Sequence, residues 1–100
     1  NFFLHIREER RAAVREELSS RLLGTAEVYS TDRMIAEGFF GPPGEISDLF
    51  RSRVGDTVVL PYAGKSVFWA GDGRFCNDHK GSHGGLTAEE MLIPLLALHA

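Results

Sequence analysis

The stretch from Gly71 to Gly85 concentrates side chains able to bind a metal or move a proton: Asp72, Asp78, His79, Lys80 and His83. Gly73, Gly81, Gly84 and Gly85 run among them, and glycine permits tight turns and close approach of backbone to a ligand. Imidazole and carboxylate are good donors for zinc or manganese. His79 and His83 are spaced to share one face of a helix, but the glycines around them oppose a helix there. Two histidines fall short of the three or four protein ligands that a zinc site uses. Spacing alone therefore leaves two readings open, a metal site and a polar surface loop.

Other reactive residue types lack a chemical setting. His5 lies in an apolar, strand-like run, where a satisfied or edge histidine is the plain reading. Cys76 has only Arg74 and Lys80 as nearby basic groups, and reads as a small filler or free thiol. Arg7, Arg10, Arg11 and Arg15 are interleaved with Glu8, Glu9, Glu16 and Glu17, the pattern of a solvated helix face laced with i,i+4 pairs. The chain has no P-loop, no G-x-G-x-x-G after a strand and no G-x-S-x-G elbow.

The elements that must position these residues follow from periodicity. Phe2–Ile6 is aromatic and branched, as a buried strand requires. Arg7–Leu23 predicts a helix, with Val14, Leu18 and Leu22 four apart, Ala13 and Leu23 widening the stripe, and Gly24 as the stop. Ala26–Ser30 alternates as a second strand. Ser30 or Thr31 caps a short helix over Asp32–Phe39. Gly41-Pro42-Pro43-Gly44 is a turn, and Ile46–Arg51 a helical turn. Asp56–Leu60 is a third strand ended by Pro61, Tyr62–Lys65 a hairpin-type turn, and Ser66–Ala70 a fourth strand. Thr87 caps a final helical turn, with Glu90 completing a capping box. Leu95–Leu98 reads as a last buried strand after Pro94. The order β-α-β-α-β-β-loop-α-β predicts α/β architecture, in detail an α+β fragment. It is a small mixed β-sheet of about four strands with two to three helices packed on it.

Composition narrows the classes. One hundred residues fit a single domain over residues 1–100, with a small core. Hydrophobic residues at 43% and charged residues at 25% are those of an ordinary globular chain. A net charge of −3 argues against binding a nucleic-acid polymer through its phosphates. No apolar run approaches the ~20 residues of a membrane span, and Pro94 interrupts the longest, Met91–Leu98. No basic segment followed by an apolar one, the pattern of a signal peptide, is read from Asn1 onward. A lone cysteine excludes an internal disulfide framework and leaves the compartment open, with the cytoplasm slightly favoured. The start, Asn1-Phe2-Phe3-Leu4, reads as a piece cut from a longer chain. N-terminal processing or a trimmed tag is the alternative.

The segment His83-Gly84-Gly85-Leu86-Thr87-Ala88-Glu89-Glu90-Met91-Leu92-Ile93-Pro94-Leu95 closely resembles the C-terminal end of the alkaline phosphatase superfamily. The nearest branch is the type I phosphodiesterase / nucleotide pyrophosphatase-like proteins, together with the related PglZ domains. Ala26–Ser30, and then Arg53-Val54-Gly55-Asp56 leading into Thr57–Leu60, also look like that family's strand, short helix, turn and strand. The resemblance spans about Phe2 to Leu98. Its closing motif is the specific part.

The resemblance implies the C-terminal part of an alkaline-phosphatase-like domain, belonging to a metal-dependent phosphoric ester hydrolase. Two divalent ions, zinc by preference, would sit at the carboxyl ends of a central sheet and clamp an in-line displacement at phosphorus. His83 takes the place of the closing metal ligand. Gly84 and Gly85 let the backbone pass close to the site, and Thr87 and Glu90 anchor the turn that holds His83. Glu89 reads as capping and surface charge. The family's nucleophile and other ligands are expected upstream. The family's Asp-His pair precedes the closing histidine by a long stretch, so Asp78-His79, four residues away, reads as loop. The partners implied are the remainder of the same polypeptide and a phosphoester, with no membrane. The chain alone is expected to be inactive and to hold no metal. Two other readings stand beside this one. One is a non-catalytic α/β binding or interaction module, using Phe39, Phe40, Phe68 and Trp69 as its surface. The other is a degenerate superfamily scaffold.

Overall fold

The computed structural model describes residues 2–68, 71, 81 and 83–98. Its core is a three-stranded antiparallel sheet in the order β1-β3-β2, built from β1 (Phe2–Leu4), β2 (Ala26–Ser30) and β3 (Thr57–Pro61). β3 pairs with both neighbours: Phe2 lies opposite Val59 on one side and Val28 opposite Val59 on the other. β1 and β2 therefore run parallel with β3 between them. The connection through α1 (Arg11–Arg21) is a split βαβ crossover. Three further helices are short: α2 (Thr31–Ala36), α3 (Asp48–Val54) and α4 (Ala88–Met91). The α+β class expected from the sequence is the one observed.

β3 is apolar after Thr57, and its residues Thr57–Leu60 are buried on both faces. Val58 and Leu60 pack on Met34 of α2, with Tyr29 and Phe40 at the margin. The alternate residues face α1, whose Arg15 reaches the Thr57 hydroxyl at 2.8 Å. The α1 stripe of Val14, Leu18 and Leu22 is half-buried, whereas Leu23, which the periodicity included, is 86% exposed. The helix is also shorter than Arg7–Leu23, with a 3₁₀ turn over Glu8–Arg10 before it. Ser47 caps α3 by accepting the Phe50 N–H at 3.1 Å, and Phe50 packs on Phe40 with ring centroids 5.1 Å apart.

The two additional strands are not seen among the described residues. Ser66–Phe68 carry no strand pairing, and Trp69 and Ala70 lie outside the described residues. Leu92–Leu98 follow α4 without pairing, with every side chain exposed. An apolar run fixes that a segment seeks burial, but a strand also needs a neighbour to pair with. No helix among the described residues is long and apolar enough to cross a membrane.

The turn into β3 ties these elements together. Asp56 Oδ2 accepts the Ile6 N–H at 2.7 Å, and Oδ1 accepts the Thr57 hydroxyl at 2.7 Å. Arg11 and Arg15 approach the same carboxylate at 3.6 and 3.8 Å. The Asp56 carbonyl accepts from Arg15 at 2.5 Å and from the Thr31 N–H at 3.0 Å. Gly55 precedes it at φ 62°, and a Cβ there would collide with the Leu4 carbonyl, whose carbon would lie 2.9 Å away. This replaces the solvated-face reading of Arg11 and Arg15: both turn inward onto Asp56. Among the described residues the i,i+4 pairs are Arg21–Glu17 and Arg33–Glu37.

Replacing Asp56 removes a charged acceptor and leaves two guanidinium groups beside a half-buried space. Asp56→Ala is expected to cost about 3 kcal/mol in urea unfolding. Gly55→Ala, strained by both its φ and the Leu4 carbonyl, is expected to cost at least about 2 kcal/mol. Unfolding midpoints unchanged in both variants would show that the turn does not hold the sheet.

Candidate functional site

His83 is exposed and opens a compact turn that ends in α4. Gly84 adopts φ +93°, in the left-handed region that glycine enters without steric cost. Gly85 sits against the Glu90 carboxylate, whose Oε1 accepts the Gly85 N–H at 2.9 Å. The Thr87 hydroxyl donates to Glu90 Oε2 at 3.2 Å. The expected capping box is thus only half made. Glu90 reaches back as expected, but to Gly85 and the Thr87 hydroxyl, while the Thr87 side chain caps no N–H of α4. The N–H of Gly85, with help from Thr87 and Gly84, holds the Glu90 carboxyl below the usual glutamate value by stabilising its anion.

Facing this turn is the segment that leaves β3. The Lys65 N–H donates to the Tyr62 carbonyl at 2.9 Å, closing a turn in which Gly64 takes φ +71°. The Tyr62 hydroxyl donates to Glu27 on β2, and that carboxylate keeps the phenol above its usual value by favouring the O–H form. Between the two turns lies an open cleft of about 380 Å³, lined by Tyr62, Lys65, His83, Thr87, Glu89 and Glu90 among others. It lies beyond the carboxyl end of the central strand.

The structure therefore brings His83, Gly85, Thr87 and Glu90 to one cleft, with Gly84 shaping the turn that leads into it. His5 is exposed on the strand side of the Gly55 turn and takes no part in the cleft. Asp72, Arg74, Cys76, Asp78, His79 and Lys80 lie outside the described residues. Among the described residues no three His, Cys, Asp or Glu side chains converge as metal ligands. Sequence reading missed Lys65 as a wall of the cleft. Its signal was the Tyr62–Lys65 turn, which places whatever follows Gly64 at the end of β3.

No family model matches the chain, and no curated protein or solved structure matches it.

The Glu90 contacts give a pH dependence of definite sign. A carboxyl whose folded value is depressed steadies the turn above its unfolded value of about 4.3 and loses that effect as pH falls through the folded value. The Gly85 amide resonance is expected to titrate with a midpoint below about 4.3, and Glu90→Gln is expected to abolish that step. A Gly85 titration that persists in the variant would assign it to another group.

Proposed function

We propose that this chain is the C-terminal part of a metal-dependent phosphoester hydrolase of the alkaline phosphatase type, and that His83 is the metal ligand it contributes. The observation that carries the reading is the position of His83. It stands exposed on a turn fixed by Glu90, at a cleft beyond the carboxyl end of the central strand. The resemblance of the His83–Leu95 motif puts the metal centre at that end of a sheet.

The described residues offer one imidazole and not a full ligand set, whereas a catalytic zinc uses three protein ligands. On this reading the remaining ligands and the nucleophile belong to the rest of the polypeptide. Divalent ions held there would polarise the phosphoryl oxygens of the substrate. The part played by this chain is positional. Gly84 turns the backbone, and Glu90 fastens Gly85 and Thr87, so the imidazole is presented from a braced turn.

The C-terminal run supports the same reading. Leu92, Ile93, Leu95, Leu96 and Leu98 are between 77% and 93% exposed. Burying one such side chain contributes about 1.5–3 kcal/mol. Left in water, the five together forgo on the order of 10 kcal/mol, comparable with the whole stability of a small domain. A run of this kind calls for a cover, and the remainder of the same polypeptide is the cover this reading supplies.

In the full-length polypeptide, His83→Ala is expected to reduce hydrolysis of a chromogenic phosphodiester by at least about a hundredfold and to lower the bound divalent metal. The thermal midpoint of the metal-free protein should be preserved, because the side chain is exposed. Turnover and metal content both close to wild type would remove His83 from the centre.

A further inference from the structure

We infer that the cleft between the Tyr62–Lys65 turn and the His83–Glu90 turn binds a phosphate oxyanion, with Lys65 as the cation that positions it. The choice of phosphate rests on the hydrolase reading above; the placement of Lys65 does not.

Three observations converge on Lys65. Its backbone is set by the bond to the Tyr62 carbonyl and by the left-handed Gly64, and the neighbouring Tyr62 is itself pinned to Glu27. The backbone from which Lys65 extends is therefore set before any ligand arrives, which lowers the ordering cost of binding. Next, the ion pairs among the described residues join arginines to carboxylates, and Lys65 is in none of them. Finally, Lys65 is the one lysine or arginine among the described residues lining the cleft, where it faces two carboxylates: Glu89, and Glu90, which stays charged while it accepts from the Gly85 N–H and the Thr87 hydroxyl. A volume of about 380 Å³ is at the lower end of small-molecule clefts, which run from about 300 to 1,000 Å³. It has room for a phosphoryl group carrying a small organic substituent. Lysine supplies a compact point charge for such a group, without the planar fork that arginine would impose.

The sign of each charge gives the test. Inorganic phosphate is titrated into the ¹⁵N-labelled protein at low ionic strength. Saturable shifts are expected at the amides of Ala63–Lys65 and Gly84–Glu90. Lys65→Gln should weaken the dissociation constant about tenfold, Lys65→Arg should largely restore it, and Glu89→Gln should tighten it a few-fold. Phenyl phosphate should compete at the same amides, which separates a site for substrate from one that takes only the free ion. Shifts that do not saturate, or affinities equal in wild type and Lys65→Gln, would overturn the assignment. Failure here leaves the His83 reading intact, and a His83→Ala variant with full turnover leaves phosphate binding at Lys65 intact, so the two stand or fall separately.

Discussion

The Ile6 amide, the Thr57 hydroxyl and two guanidinium groups of α1 all converge on the carboxylate of Asp56. This one side chain joins segments that no local rule connects: the exit of β1, the start of the central strand and the inner face of α1. Its own carbonyl takes in Arg15 and the first amide of α2. The Asp56 carboxylate, the Thr57 hydroxyl and the Arg15 guanidinium are hydrogen-bonded to one another or to backbone, whereas the buried Arg11 Nε meets Asp56 only as an ion pair at 3.6 Å, without a hydrogen bond. Thr57, fully buried, donates to Asp56 and accepts from Arg15, which uses both capacities of its hydroxyl. Thr31 shows the opposite condition: its buried hydroxyl has no partner among the described residues, a deficit worth about 1–3 kcal/mol. The network at Asp56 must outweigh such local costs for the crossover to hold.

Gly55 is the steric half of the same constraint. The chain leaves α3 and must reverse at once to enter β3 alongside β1, and the Asp56 N–H bonds the Leu4 carbonyl at 3.0 Å while it does so. A side chain at Gly55 would occupy the space of that carbonyl. Backbone geometry and charge thus act at adjacent residues, the first bringing β3 beside β1 and the second attaching the helix above them. With β3 fixed, its far end is fixed as well, and that end carries the Tyr62–Lys65 turn.

What was legible in the sequence divides along the same line between local and distant forces. Ala26–Ser30 alternates and is a strand with those bounds. Asp56–Leu60, read as a strand closed by Pro61, is the buried central strand displaced by one residue at each end, Thr57–Pro61. Arg11 and Arg15 were misassigned because glutamates lie within reach along the helix, whereas Asp56 lies about forty residues away. Spacing lists the neighbours a charge has on its own helix, but it cannot rank them against a partner delivered by tertiary folding. Leu95–Leu98 failed differently. Their composition is apolar, but a strand is a relation between two segments, and no described segment pairs with them.

The candidate site repeats this division at smaller scale. Thr87 and Glu90, three residues apart, announce a braced turn, and the brace is present through the Gly85 N–H and the Thr87 hydroxyl. The opposite wall was not legible, since nothing in the His83–Leu95 motif refers to Tyr62 or Lys65. Those residues follow directly on Pro61, the last residue of the strand whose start Asp56 holds. The cleft is therefore a consequence of the same carboxylate that organises the sheet, reached through one strand whose two faces are both buried. A change at Asp56 should loosen the Lys65 wall before it affects the Glu90 brace, because the brace is held by contacts confined to residues 84–90.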